Sequence, residues 1–189
     1  MKTDLPNKLG LTEMAYGYIF YGIVNGRYHS GQSLNPDMIV KTLSMSKPPI
    51  REALLQLESE AAYLATTRKT PELTQELRTA LDALKRMNRA DDPDPIRLAD
   101  LNGKFHSIIA SGSGNRYITE YTAQVRLKLK AIRTTVFNSS DRRLSEIKEH
   151  EDVPRAMEEG NSEMARDRMK THVAEVIDYL KSNVLNKIY

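Results

Sequence analysis

Cysteine is absent from the 189 residues, which excludes disulfides and thiolate metal sites and fits a reducing cytoplasm. No apolar run approaches the roughly 20 residues needed to cross a bilayer. Met1 to Gly10 holds Lys2, Asp4 and Lys8 but no apolar core, so no signal peptide is expected there. Strand signals are scarce, and neither an internal repeat nor a low-complexity tract is visible. The net charge of +3 permits an anionic partner without demanding one. What is present is an ordinary soluble composition, 40% hydrophobic and 28% charged, which argues against wholesale disorder. The length suffices for one large domain or two small ones.

Helix signals fill the space that strands leave. Leu11 to Asn25 is apolar and aromatic at helical spacing and stops at Asn25-Gly26. Pro36 and Asp37 open a short helix with Met38, Ile39 and Leu43 on its apolar positions. Ser44-Met45-Ser46 interrupts it, and Ser46 caps a further helix beginning at Pro48-Pro49. In that helix Ile50, Ala53, Leu54, Leu57, Ala61 and Leu64 keep i, i+3, i+4, i+7 spacing as far as Thr66. Thr70-Pro71-Glu72 restarts a helix to about Met87, and Asp91 to Pro95 reads as a linker. Further helices are predicted over 96–111, 115–138, 143–159 and 161–184, broken at Gly112-Ser113-Gly114, Asn138-Ser139-Ser140 and Gly160-Asn161.

Two short helices joined by a tight turn, the second opening on small polar and basic residues, form the helix-turn-helix pattern. The residues placed to meet DNA are Ser46, Lys47, Pro48 and Arg51. Lysine and arginine suit phosphates and the guanine O6/N7 edge, and a serine hydroxyl can bond either. Spacing alone favours an ordinary helical hairpin with surface charge, because such patterns are common in all-α chains. Residues 14–60, however, resemble the winged helix-turn-helix of the GntR regulator family. GYIFYGIVNGRYHSGQSL is similar to its first helix and turn, and MIVKTLSMSKPPIREALLQLESE to its second and third helices. Three departures stand out. Lys47 replaces an arginine and cannot form the bidentate fork, Pro48 replaces a small polar residue, and Ser30 replaces the turn proline.

The family's wing is missing from the pattern. LESEAAYLATTRKTPELTQELRTALDAL already resembles the first sensor helix and its successor, with no Gly-rich hairpin between. The recognition helix is therefore expected to run straight into the sensor. Each lost phosphate contact would flatten the salt dependence by ~0.9 log units of slope.

Four histidines occur. His29 lies in the N-terminal turn and reads as a surface residue. His106, His150 and His172 fall on three different predicted helices, and Asn102 shares a face with His106. Three imidazoles and one oxygen donor suit a borderline divalent ion such as zinc or nickel. On spacing alone, isolated histidines in a helical domain are more often interface or hydrogen-bonded residues than ligands. No HExxH is present, and Glu149, the one nearby candidate for a general base, is better read as belonging to a helix start, so an enzyme is not expected.

Residues 57–184 resemble the FCD sensor domain of the FadR-type GntR branch, through NGKFHSIIASGSGN and EIKEHEDVPRAMEEGNSEMARDRMKTHV. The resemblance implies an antiparallel helical bundle and places the metal ligands on Asn102, His106, His150 and His172. Asn102 stands in for the usual aspartate and brings no charge, so the metal must take its charge balance from a bound anion or water. Pro154 removes a backbone bond at ~3 kcal/mol unless the helix begins within a turn of it, and so bears on the aim of His150. The resemblance also makes Arg133 the clamp for a small organic acid effector, against a plain reading as surface charge among Arg126, Lys128 and Lys130.

The expectation is an all-α protein: a helix-turn-helix DNA-binding domain over 1–60, then an FCD-like bundle over 61–189. Its partners are double-stranded DNA, a small carboxylate and a second copy of the chain, in the cytoplasm and away from membranes. The competing expectation is a degenerate metal-binding or dimerisation module that no longer binds DNA.

Overall fold

The computed structural model describes residues 11–25, 27, 36–44 and 47–183. All the regular structure among them is helical: α1 Leu11–Val24, α2 Pro36–Leu43, α3 Lys47–Thr67, α4 Pro71–Asn88, α5 Pro95–Gly112, α6 Arg116–Phe137, α7 Ser140–Glu158 and α8 Ser162–Asn183. None of the described helices is long and apolar enough to cross a membrane. The chain divides into two compact units, Met1–Leu57 and Glu58–Tyr189. The cut falls inside α3, three residues before the expected boundary.

In the first unit Ala15, Ile19, Ile39 and Leu57 are buried. Helix α2 ends at Ser44, whose φ of 51° lies in the left-handed region and cannot continue a helix. Met45 and Ser46, the other residues of the expected interruption, lie outside the described residues.

The second unit is a bundle whose helices begin where a side chain can replace the missing backbone acceptor. Thr70 accepts from Leu73 N at 3.2 Å ahead of Pro71, and Asp94 accepts from Ile96 N and Arg97 N ahead of Pro95. Asn115 accepts from Tyr117 N and Ile118 N. Such caps stabilise a helix by about 1 kcal/mol each, and proline at the first position loses no hydrogen bond. Helix α7 starts at Ser140, earlier than the 143 expected, because Ser139 accepts from Arg142 N. Only Arg68, Lys69 and Thr70 separate α3 from α4, so no wing stands between them.

Helix α5 packs on α4 and α6, and α7 on α4, α6 and α8, with short connections returning the chain between successive helices. Leu77, Leu84, Phe105, Ile109, Val153 and Met169 carry the apolar core. The tightest turn follows α5. Gly114 has a φ of 62°, and a Cβ there would meet the Arg68 guanidinium that donates to Ser113 O at 2.5 Å.

Candidate metal centre

Helical periodicity puts polar and ionisable side chains on the inner faces of five helices. Asn102 and His106 lie one turn apart on α5; Arg142, Glu146, Glu149 and His150 line one stripe of α7. Helix α6 adds Arg126 and Arg133, α8 adds His172, and Glu58 comes from the C-terminal half of α3. Asn102, His106, Arg133, Glu146, His150 and His172 are all at most 3% exposed. Groups this polar reach such burial only when paired.

The three imidazoles converge. One ring nitrogen from each of His106, His150 and His172 lies within 4.8 Å of the other two. His106 Nε2 and His150 Nε2 are 3.2 Å apart, near the ~3.4 Å edge that a tetrahedral zinc site implies for Zn–N bonds of about 2.0–2.1 Å. His106 and His172 stack, His150 meets both edge-on, and Phe105 closes the apolar side with its ring centroid 4.6 Å from that of His150.

The outer contacts set the tautomers. His150 Nδ1 lies 2.6 Å from the Glu146 carbonyl, which can only accept, so Nδ1 carries the proton and Nε2 is bare. His172 Nδ1 is 2.8 Å from Glu149 Oε2, leaving its Nε2 buried without a hydrogen bond. His106 Nδ1 lies 2.7 Å from Glu58 Oε2, close enough to pair although the ring is not aligned for a straight hydrogen bond. His150 and His172 therefore turn an unprotonated Nε2 inward, and His106 Nε2 meets that of His150. Burial keeps them neutral: it holds His106 and His172 well below the ordinary range, with the charge of Arg126 adding to the effect at His106. His150 is lowered to about 4, burial again outweighing the attraction of Glu146. Nitrogen lone pairs brought this close in a dry site are a donor set that a cation can bridge.

Asn102 is brought to the same place with its amide in a particular sense. Its oxygen accepts from Arg133 Nη2 at 2.8 Å and Arg126 Nη1 at 3.1 Å. Its nitrogen faces Glu146 Oε1 at 3.1 Å and His150 Nε2 at 2.9 Å. Two guanidinium donors fix that assignment, since turning the amide would aim N–H at N–H. The oxygen expected as a metal ligand thus looks toward the arginines.

Three guanidinium–carboxylate pairs frame the histidines. Arg126 grips Glu58 through Nε and Nη2. Arg142 holds Glu149 at 2.6 and 3.0 Å. Arg133 meets Glu146 at 2.7 Å through Nη2 alone. Burial raises the Glu146 pKa, but Arg133 and the neighbouring positive charges outweigh it and the net direction is downward. Burial lowers Arg133 to about 10, leaving it charged at neutral pH.

Arg133, read from the resemblance as a carboxylate clamp, therefore sits inside the centre rather than on the surface. Glu149 is well inside α7 and orients His172, which corrects its expected place at a helix start. Pro154 also lies deep within α7, where it denies the His150 carbonyl its backbone donor, yet His150 still reaches the cluster. Sequence reasoning missed Glu58, Arg142 and Glu146 and took Arg126 for surface charge. The α7 stripe Arg142, Glu146, Glu149, His150 was the available signal. Of the expected DNA-reading residues, Ser46 lies outside the described residues, and Lys47, Pro48 and Arg51 fall on the first turns of α3. His29 also lies outside them.

Comparison with known proteins agrees with this architecture. The FCD domain family model matches residues 50–175, about two thirds of the chain. The HTH-type transcriptional regulator YdhC of Bacillus subtilis (strain 168) is 23% identical over 216 residues, covering 95% of this chain and 94% of that protein. Among solved structures, E. coli McbR/YncC shares the fold with a TM-score of 0.60 at 18% identity, over 92% of this chain and 98% of its own. Streptococcus agalactiae GntR does so with a TM-score of 0.52 at 19% identity, over 87% and 98%. With the match spanning α4, α5, α6 and α7 and the greater part of α3 and α8, the chain belongs to the FCD-domain family, in the FadR-type branch of the GntR regulators that its motifs resemble.

Proposed function

We propose that this protein is a DNA-binding transcriptional regulator whose operator binding responds to a small organic acid at a metal centre in the helical unit. The observation that carries the reading is the convergence of three buried imidazoles, one ring nitrogen of each within 4.8 Å of the others, with His150 and His172 held from behind by an acceptor. His106, His150 and His172 would hold the ion, with zinc or nickel favoured by an all-imidazole donor set. Asn102 would add its oxygen only by releasing two arginines. When bound, the metal supplies positive charge that favours a carboxylate beside Arg133. The likeness to a named transcriptional regulator over 95% of the chain supports the DNA-binding half. In this reading a cytoplasmic homodimer presents Ser46, Lys47, Pro48 and Arg51 to successive major grooves.

Fluorescence anisotropy tests it, with a labelled duplex from the gene's own upstream region titrated over a salt series in zinc and in EDTA. The expected result is salt-sensitive binding, weakened at least tenfold by Arg51→Ala and shifted between zinc and EDTA by about 5–150-fold. No binding even at low salt would overturn the reading and leave a metal-binding or dimerisation module.

A further inference from the structure

We propose that Glu146 is a tethered competitor of the effector: a small carboxylate reaches Arg133 only by displacing the Glu146 side chain, which thereby sets the concentration at which the sensor responds. The inference rests on the reading of this centre as an effector site.

The geometry singles out this pair. Glu58 and Glu149 each engage their arginine through both oxygens. Glu146 reaches Arg133 with Oε1 only, and its Oε2 is buried without a hydrogen bond. On the other side Arg133 leaves both Nε and Nη1 buried without one. A planar guanidinium matches a carboxylate through two parallel bonds, and a carboxylate free to choose its position would make them. Glu146 cannot, because its backbone is fixed in α7, where the Glu146 carbonyl also holds His150 Nδ1. A free carboxylate of similar size has no such tether. The occupied position is also the right one, since Glu146 Oε1 and His150 Nε2 share the Asn102 amide nitrogen at 3.1 and 2.9 Å.

Charge gives the same answer. With the histidines neutral, three carboxylates balance Arg126, Arg133 and Arg142. Removing Glu146 leaves a buried cation and a carboxylate-sized space beside it, a combination that a small anion fills.

The test is chemical rescue of the full chain. Thermal unfolding of wild type and Glu146→Ala is followed against formate, with chloride at matched ionic strength as control, in EDTA and in zinc. Formate is expected to raise the variant's Tm by about 4 °C or more and wild type's by about 1 °C or less. An equal response in both proteins, or none in the variant, overturns the proposal. Should Glu146→Ala fail to fold, Glu146→Gln keeps the volume and an acceptor for Arg133. Its midpoint for formate is then expected at least tenfold below wild type, and an unchanged midpoint overturns the proposal. The EDTA arm separates the two readings: zinc without effect on any protein sinks the metal centre, while formate rescue in EDTA still stands on Arg133.

Discussion

The flanks of the buried centre and its middle are joined differently. On one flank Glu58 of α3 is gripped by Arg126 of α6 while it steadies His106; on the other, Glu149 is gripped by Arg142 while it steadies His172. In the middle, Glu146 and Arg133 share one contact and leave three buried polar atoms without a hydrogen bond. All three pairs are the same chemistry, and the middle one is the most deeply buried. The flanks hold imidazoles, with Arg142 Nε their one guanidinium nitrogen without a hydrogen bond; the middle keeps two such donors on Arg133, where an anion is expected.

The largest expected effect comes from breaking a flank. Glu58 is 4% exposed, so Glu58→Ala strands Arg126 and frees His106. The expected loss is about 3–5 kcal/mol, the usual cost of removing one member of a buried pair, read as a lower guanidinium midpoint for loss of helical signal. A loss below about 1 kcal/mol would put this flank with ordinary surface ion pairs and erase the distinction.

Much of this was legible beforehand, and the rest was hidden for a physical reason. Thr70-Pro71 and Asp94-Pro95 announce helix starts because one residue supplies the acceptor and the next needs no donor. Ser139 does the same, but in Asn138-Ser139-Ser140 it reads equally as a break, so the pattern puts the start of α7 at 143 where the helix begins at Ser140. The three histidines were found through motif resemblance; their spacing says nothing of a meeting between α5, α7 and α8. Glu58, Arg126 and Glu146 look like any solvated charges along the chain. What buries them is a partner at long separation, 68 residues between Glu58 and Arg126 and 44 between Asn102 and Glu146, and no local pattern records such a pairing.

A second expected effect distinguishes the histidines from their carboxylates. His150, at about 4 in the folded protein against an ordinary 6.5, stays neutral where the unfolded chain protonates. The unfolded state then binds more protons, so stability falls as pH drops from 6.5 to 4, by about 3 kcal/mol from this residue. Glu146, whose own pKa is lowered, adds a loss only below its ordinary 4.5. The interval from pH 6.5 to 4.5 therefore belongs to the histidines, and denaturation in EDTA at steps across it should show a steady decline. A flat profile would mean the rings are not buried neutral, and the inward-facing bare nitrogens would go with them.

The smallest effect decides whether geometry or burial makes a pair matter. Arg78 Nε meets Glu158 Oε1 at 2.6 Å, as close as the contacts of the buried centre, but the two side chains are 54% and 33% exposed. Water already solvates both partners, so their attraction is screened and holding two long side chains together costs rotamer freedom. Arg78→Ala is expected to leave the Tm within measurement error at physiological salt. A drop comparable to that of Glu58→Ala would make short contact distance sufficient by itself. The unmatched atoms of Glu146 and Arg133 would then mark only a poorly closed contact, because it is their burial that turns a missing partner into a preference for an incoming carboxylate.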